Sequence, residues 1–106
     1  MSASRVLVYG GSGVLGRSIL EKFSSKGWIT YSADMAKYTA PFINNSFAVD
    51  NSASAKQGVD SVSKWLDSTL EGNKLNCIVN AAGGFMMGDI SSDLFYDQLD
   101  TMWKVN

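Results

Sequence analysis

The feature that most constrains the fold of this chain is the glycine-rich segment after its first apolar run. Arg5–Gly10 contains a continuous apolar run ended by glycines, which is typical of a strand buried on both faces of a sheet. The next residues, Gly11–Gly16, fit the pattern G-x-G-x-x-G, and Gly10, Gly13 and Gly16 also fit G-x-x-G-x-x-G. Since an apolar helical pattern starts at Val14, the glycines lie between a strand and a helix, where such patterns bind the phosphates of dinucleotides.

The rest of the chain alternates between strand-like and helix-like patterns. Strands are predicted at Arg5–Gly10, Trp28–Ala33, Ser46–Val49 and Leu75–Asn80. Helices are predicted at Val14–Lys26, Asn51–Glu71 and Asp93–Asn106, with apolar stripes Leu15–Ile19–Phe23, Ala55–Val59–Val62–Leu66–Leu70 and Phe95–Leu99–Met102. The stretch Lys37–Ser46, which holds the single proline, is the expected irregular connection.

This alternation predicts an α/β fold, a Rossmann-type parallel sheet with helices on both faces, truncated after about four strands. The chain of 106 residues stops inside its last helical pattern. We therefore expect residues 1–106 to be the N-terminal part of a single NAD(P)-binding Rossmann domain whose catalytic C-terminal half is absent.

The glycine-rich segment is expected to hold the cofactor pyrophosphate. Its first glycines allow a tight turn and leave no Cβ between the backbone and the phosphates, and Gly16 lets the helix lie close to the sheet. The helix N-terminus offers unpaired N–H groups and the positive end of its dipole. The predicted contacts are Tyr9, Gly10, Gly11, Ser12, Gly13, Val14, Leu15 and Gly16. The alternative is a glycine-rich turn that binds no ligand.

An acidic residue ends the second predicted strand. Asp34 follows Gly16 by 18 positions, where a dinucleotide fold places an acid that accepts hydrogen bonds from the adenosine ribose. Its carboxylate would repel a 2′-phosphate, so NADH is favoured, although the nearby Lys37 reduces that preference and leaves NADPH possible. The alternative is a solvated loop acid.

Polar and small residues end the other predicted strands. Asp50 either accepts a hydrogen bond from the adenine amino group or caps the following helix. The turn Asn80–Gly83, with Ala81, Ala82 and Gly83, either lets a cofactor ribose approach the backbone or is a tight packing turn. Asn106 lies on the apolar stripe of the last helical pattern, and the residues alone favour a terminal residue over a polar network near an active site.

Composition excludes several classes of function. Nine Lys and Arg against ten Asp and Glu leave no basic stripe for nucleic acid. The absence of histidine removes His-based triads and most zinc sites, so no metal site is expected. The single cysteine, Cys77, is typical of a reducing compartment. Because no apolar run is long enough for a membrane span and no signal peptide is recognisable, we expect a cytoplasmic protein without membrane contact.

These motifs together resemble the short-chain dehydrogenase/reductase superfamily and, within it, the dihydropteridine reductase family. The narrower resemblance rests on Val6–Gly16, Trp28, Ala82-Gly83-Gly84, Leu94-Phe95 and Met102-Trp103-Lys104. It implies an NADH-dependent reductase that regenerates tetrahydrobiopterin from quinonoid dihydropterin and works as a cytoplasmic homodimer. The family also implies a catalytic Tyr-x-x-x-Lys pair near the nicotinamide.

The chain departs from that family at the catalytic pair. None of its tyrosines, Tyr9, Tyr31, Tyr38 and Tyr96, has a lysine four residues later. Many superfamily members place a proton-relay asparagine where Asn106 stands, so the resemblance makes it the one candidate catalytic residue. We therefore expect the isolated chain to be inactive. The alternatives are a non-catalytic dinucleotide-binding module and another branch of the superfamily, such as a sugar-nucleotide epimerase.

Overall fold

The computed structural model describes residues 3–50 and 52–82. Its elements in chain order are β1 (Arg5–Tyr9), α1 (Val14–Ser25), β2 (Ile29–Asp34), β3 (Asn45–Ala48), α2 (Ala55–Leu70) and β4 (Cys77–Asn80). Each was predicted as a strand or helix, with ends that differ by at most four residues. The predicted helix Asp93–Asn106, which includes the candidate residue Asn106, lies outside the described residues. Gly83 also lies outside them.

The four strands form one parallel sheet in the order β3-β2-β1-β4. β1 lies inside the sheet, where Leu7 pairs with Tyr31 of β2 on one side and Ile78 of β4 on the other. The chain adds β2 and β3 on one side of β1 and then returns to place β4 on the other side. The gap between the carboxyl ends of β1 and β4 is therefore the point where ligands bind in open sheets of this kind.

The two helices cover opposite faces of the sheet, as predicted. Successive residues of β1 point to opposite sides, so Val6 and Val8 pack with Leu20 of α1. Leu7 packs on the other face with Val62 of α2, in a cluster that also includes Tyr31, Ala33 and Val49. The prediction of a Rossmann-type α/β fold is confirmed in this part of the chain.

The predicted apolar stripe of α2 is confirmed at Val62, Leu66 and Leu70 and was wrong at Val59. Val59 is 60% exposed, and the buried side of this part of the helix runs through Gly58 and Val62 instead. A Cβ on Gly58 would lie 3.3 Å from Val49 Cγ1, so the missing side chain brings the helix close to the sheet. Further along α2, the ring of Trp65 stacks on Phe47 and holds the same side of the helix against the sheet.

Two further expectations about the helices need correction. Leu15 was expected on the buried stripe of α1 but is 63% exposed, and the buried residues of the helix are Gly16 and Leu20. α2 begins at Ala55 instead of Asn51, since Ser54 is its N-cap. Neither helix of the described part is long and apolar enough to cross a bilayer.

The connection between β2 and β3 has no regular secondary structure, in agreement with the prediction. It is held by Thr30, a fully buried residue of β2. The Thr30 hydroxyl donates to the Phe42 carbonyl oxygen at 2.7 Å and accepts the Asn44 amide at 3.0 Å. The Thr30 amide in turn donates to Asn44 Oδ1 at 2.9 Å. These bonds fix the start of β3 beside β2.

Candidate functional site

The predicted cofactor-binding residues within the described ranges come together at the carboxyl edge of the sheet, with Asp50 further out, beyond β3. The Gly10 amide donates to the Ala33 carbonyl oxygen at 2.7 Å, which ties the glycine-rich loop to the end of β2. The Ala81 amide donates to the Tyr9 carbonyl oxygen at 2.8 Å, which ties the same loop to the segment after β4. The loop between β1 and α1 therefore lies at the centre of this edge, at the ligand-binding position of an open parallel sheet.

Three of the four glycines in the segment Gly10–Gly16 are required by contacts within the protein. Gly10 has a φ of +90°, and a Cβ there would overlap the Ala82 backbone. A Cβ on Gly11 would overlap the Ser32 side chain. A Cβ on Gly16 would overlap the Gly10 carbonyl oxygen, so the missing side chain lets α1 lie against the backbone that directly follows β1.

Gly13 is different, because nothing in the described part of the protein requires a glycine there. Its φ of −75° and ψ of 168° suit any residue. A Cβ would have one neighbour within 4 Å, the Gly10 carbonyl oxygen at 3.6 Å, which is an ordinary contact. The residue is also exposed. The missing side chain therefore leaves the backbone open to something outside the described residues, as expected for a group that must approach it closely.

Gly13 is also the N-cap of α1, and it leaves that helix end without a side-chain acceptor. The first turn of α1 contains no acidic residue. The amides of Val14, Leu15 and Gly16 have no acceptor among the described residues. Unpaired N–H groups at a helix N-terminus, together with the positive end of the helix dipole, form a site suited to an anion.

Asp34, at the end of β2, holds its carboxylate against the glycine-rich loop. Asp34 Oδ2 accepts hydrogen bonds from both the Ser12 amide, at 3.0 Å, and the Ser12 hydroxyl. Asp34 Oδ1 accepts the Met35 amide at 2.7 Å. The side chain is half-buried, so the carboxylate is positioned by protein donors and is not a freely solvated loop acid. The sequence spacing predicted its place, but nothing in the sequence indicated the bonds from Ser12.

A second contact that the sequence did not reveal joins the first turn of α1 to the segment after β2. The Arg17 guanidinium carbon lies 3.9 Å from the centre of the Tyr38 ring, a cation–π contact. Lys37, exposed, precedes Tyr38 in the same segment. Two cations therefore belong to the elements that flank the Asp34 carboxylate.

Asp50 is exposed and bonds to the turn that leads into α2. Its Oδ1 accepts the Ser52 amide at 2.9 Å and the Ser52 hydroxyl at 2.8 Å. The Ser52 amide first, and the hydroxyl second, hold the pKa of the Asp50 carboxyl below its ordinary value. The proposal that Asp50 caps the following helix was wrong, because the N-cap of α2 is Ser54.

The segment after β4 forms a tight turn against the glycine-rich loop. Asn80 Oδ1 accepts the Ala82 amide at 3.1 Å, and Ala82 packs against Gly10. The contacts of Ala82 are those of the packing turn that the sequence left open as an alternative. Ala81 and Ala82 are both half-buried, and they follow β4 at the carboxyl edge of the sheet. In residues 3–50 and 52–82, no three Cys, Asp or Glu side chains cluster as metal ligands.

Comparison with known proteins identifies relatives of the chain over its whole length. No family model matches it. It is 34% identical over 104 residues to a dihydropteridine reductase of Dictyostelium discoideum, a match that covers 98% of this chain and 42% of that protein. The chain thus spans less than half the length of the curated relative.

Solved structures show the same fold. A structure described as a 3-oxoacyl-reductase of Bacillus thuringiensis superposes with a TM-score of 0.72 at 17% identity, over 99% of this chain and 46% of that one. Uronate dehydrogenase of Agrobacterium tumefaciens, solved with NAD, superposes with a TM-score of 0.51 at 20% identity, over 88% of this chain and 31% of that one. The predicted resemblance to dihydropteridine reductase is therefore confirmed by sequence similarity, and the solved structures confirm the fold.

Proposed function

We propose that this chain forms the NADH-binding part of a dihydropteridine reductase, which reduces quinonoid dihydropterin to a tetrahydropterin. The observation that carries the proposal is Gly13, a glycine at the uncapped start of α1 that no contact within the described residues explains. The similarity to a dihydropteridine reductase supplies the reaction class.

The site fits a dinucleotide in three places. The Val14, Leu15 and Gly16 amides receive the pyrophosphate over the open backbone of Gly13. The Asp34 carboxylate accepts hydrogen bonds from the adenosine ribose hydroxyls, and such charge-assisted bonds are strong. Ala81 and Ala82 leave room for the second ribose on the β4 side of the crevice. The carboxylate favours NADH, and Lys37 moderates its repulsion of the 2′-phosphate of NADPH.

The chemistry divides between the cofactor and residues that this sequence does not contain. The nicotinamide supplies the hydride, and the pterin ring must also receive a proton. The residues described here bind and orient the cofactor, and none of the tyrosines of the sequence has the lysine partner expected of the proton donor. Asn106 remains a proposed relay residue. We infer that the active protein is a cytoplasmic homodimer that includes the Tyr-x-x-x-Lys pair, and that this chain alone does not turn over.

An assay with three substrates tests the reaction class. The complete protein is mixed with NADH and, in separate reactions, quinonoid dihydropterin or a 3-oxoacyl thioester; a third reaction offers a uronate with NAD. We expect turnover with the dihydropterin alone. Turnover with either other substrate would assign the chain to another branch of the superfamily. NADH binding without turnover on any of the three would favour a non-catalytic dinucleotide-binding module.

A further inference from the structure

Ser12 directs two hydrogen-bond donors at one point. Its amide, at 3.0 Å, and its hydroxyl both donate to Asp34 Oδ2. Donors that converge from a turn in this way form a small anion-binding site. In this chain the anion that occupies the site is the protein's own carboxylate.

The carboxylate of Asp34 is nearly saturated before any cofactor binds. A carboxylate has about four acceptor positions. Three are in use, by the two donors of Ser12 and by the Met35 amide at 2.7 Å. A ribose diol brings two further donors, so one bond must be released. The Ser12 hydroxyl is the donor that can turn away, because the two amides are fixed by the backbone.

The same geometry describes what a 2′-phosphate would need. In the proposed binding mode the ribose 2′-oxygen lies at the Asp34 carboxylate, so a phosphate on that oxygen falls within reach of the donors that the carboxylate now occupies. The preference for NADH over NADPH then has two causes. One is the repulsion between the two anions, and the other is that Asp34 already holds the Ser12 amide and hydroxyl.

We propose that Ser12 is a specificity-determining residue, whose amide and hydroxyl position the Asp34 carboxylate before NADH binds and accept the 2′-phosphate of NADPH when that carboxylate is removed. The inference rests on the proposed function, since it assumes that NADH binds at this edge of the sheet. Arg17, held over the Tyr38 ring at 3.9 Å, and the exposed Lys37 supply positive charge on the flanking elements. Ser12 supplies the directed bonds that these cations lack.

The test is a cycle of substitutions in the complete protein, with NADH and NADPH affinities measured by isothermal titration calorimetry. Asp34→Ala frees the Ser12 donors and is expected to improve NADPH binding relative to NADH at least tenfold. Adding Ser12→Ala to that variant should weaken NADPH binding by about tenfold, the size of one lost hydrogen bond to a charged group. In the wild-type background, where Asp34 occupies the donors, Ser12→Ala should change NADPH affinity less than about twofold.

A matched serine controls for the loss of a hydroxyl near the start of α1. Ser18 donates to the Val14 carbonyl oxygen at 3.1 Å and takes no part in the site, so Ser18→Ala should not alter either affinity in the Asp34→Ala background. If alanine at position 34 does not fold, the same cycle is built on Asp34→Ser.

The outcomes separate this inference from the function on which it rests. Equal NADPH affinity with and without Ser12→Ala, in a protein that binds NADH, would overturn the role of Ser12 and reduce the selectivity to charge repulsion alone. Absence of NADH binding in the wild-type protein would overturn the proposed function itself. Loss of NADPH and NADH binding by the same factor on Ser12→Ala would show a structural role without selectivity.

Discussion

The two helices of the described residues begin in opposite ways. At α2, Ser54 Oγ accepts the Gln57 amide at 3.2 Å and Gln57 Oε1 accepts the Ser54 amide at 2.9 Å, so the helix end is satisfied by a capping box. At α1 the N-cap is Gly13, which has no side chain, and the first turn holds no acid. Both helices pack on the same sheet, yet only α2 has a side chain that caps its N-terminus.

The two helix ends therefore differ in local stability. A capping side chain at a helix N-terminus contributes about 1 kcal/mol, and a glycine there forgoes part of it. α1 also lies at the switch point between β1 and β4, whereas α2 begins beyond β3 at the edge of the sheet. The open end is therefore the one at the ligand-binding position. This correlation supports a function for Gly13 more strongly than the glycine pattern does alone.

The largest effect is expected from adding a methyl group in the first turn of α1. Gly16→Ala places a Cβ on the Gly10 carbonyl oxygen, and no rotamer change can relieve an overlap with backbone. We expect the free energy of unfolding to fall by at least about 3 kcal/mol, the upper range for overpacking. Urea unfolding followed by circular dichroism measures it.

The matched control is the glycine in the first turn of the other helix. A Cβ on Gly58 would meet only Val49 Cγ1, at 3.3 Å, and alanine has the higher helix propensity. Gly58→Ala should change the free energy of unfolding by less than about 1 kcal/mol. Equal losses for Gly16→Ala and Gly58→Ala would mean that the loop at α1 is no more tightly packed than α2.

The next effect converts the open helix end into a closed one. Gly13→Asp fits the observed φ and ψ and supplies the acceptor and negative charge that α1 lacks. The thermal midpoint should stay the same or rise, while NADH binding should weaken by about a hundredfold as the carboxylate takes the place of the phosphate. Differential scanning calorimetry and titration calorimetry on the complete protein give the two values.

Gly13→Ala separates steric from electrostatic causes of that loss. Its Cβ makes one ordinary contact, so stability should be unchanged. The NADH affinity of Gly13→Ala should lie between that of the wild type and that of Gly13→Asp. If Gly13→Asp bound NADH as tightly as the wild type, the phosphate would not lie at α1, and the proposed function would lose its main support.

A smaller and opposite effect is expected at α2. Ser54→Ala removes the hydroxyl that accepts the Gln57 amide, so the free energy of unfolding should fall by about 1 kcal/mol. NADH affinity should not change, because α2 begins away from the crevice between β1 and β4. A variant that lost stability and NADH affinity together would show that the two helix ends are coupled, which would remove the contrast between them.

The sequence predicted the type of every described element, because periodicity reflects which side of an element is buried. It also predicted that the candidate site residues lie near one another, since the carboxyl ends of parallel strands meet at one edge. It did not distinguish Gly13 from Gly10, Gly11 and Gly16, because a pattern cannot show which missing side chain makes room for protein and which leaves space open. The sequence also did not predict the hydrogen bonds from Ser12 to Asp34, since they depend on two strands lying side by side.

The buried side of α2 shows the same limit of prediction from periodicity. The apolar spacing placed Val59 on the buried side of α2, but Val59 is exposed and Gly58 lies close to Val49 instead. Glycine carries no hydrophobic signal, so periodicity cannot identify it as a contact residue. The capping box, by contrast, follows from local residues alone, and Ser54 with Gln57 has the spacing that marks a helix start.

The smallest effect concerns the turn that leads into α2, where Asp50 bonds to the Ser52 amide and hydroxyl. These bonds lower the pKa of the Asp50 carboxyl below its ordinary value of 3.8, so the native state favours the ionised form. The stabilisation is fully present above the ordinary pKa and is lost as pH falls through the lowered one. The thermal midpoint of the wild type should therefore fall more steeply below that ordinary pKa than that of Asp50→Asn, which cannot titrate.

A carbon-detected NMR titration should give Asp50 a midpoint below the ordinary value, and Ser52→Ala should move it upward while the amide bond keeps part of the shift. If Ser52→Ala leaves the Asp50 midpoint unchanged, the Ser52 hydroxyl does not hold the carboxylate in solution. The hydrogen-bonded start of α2 would then comprise the Ser54 capping box alone.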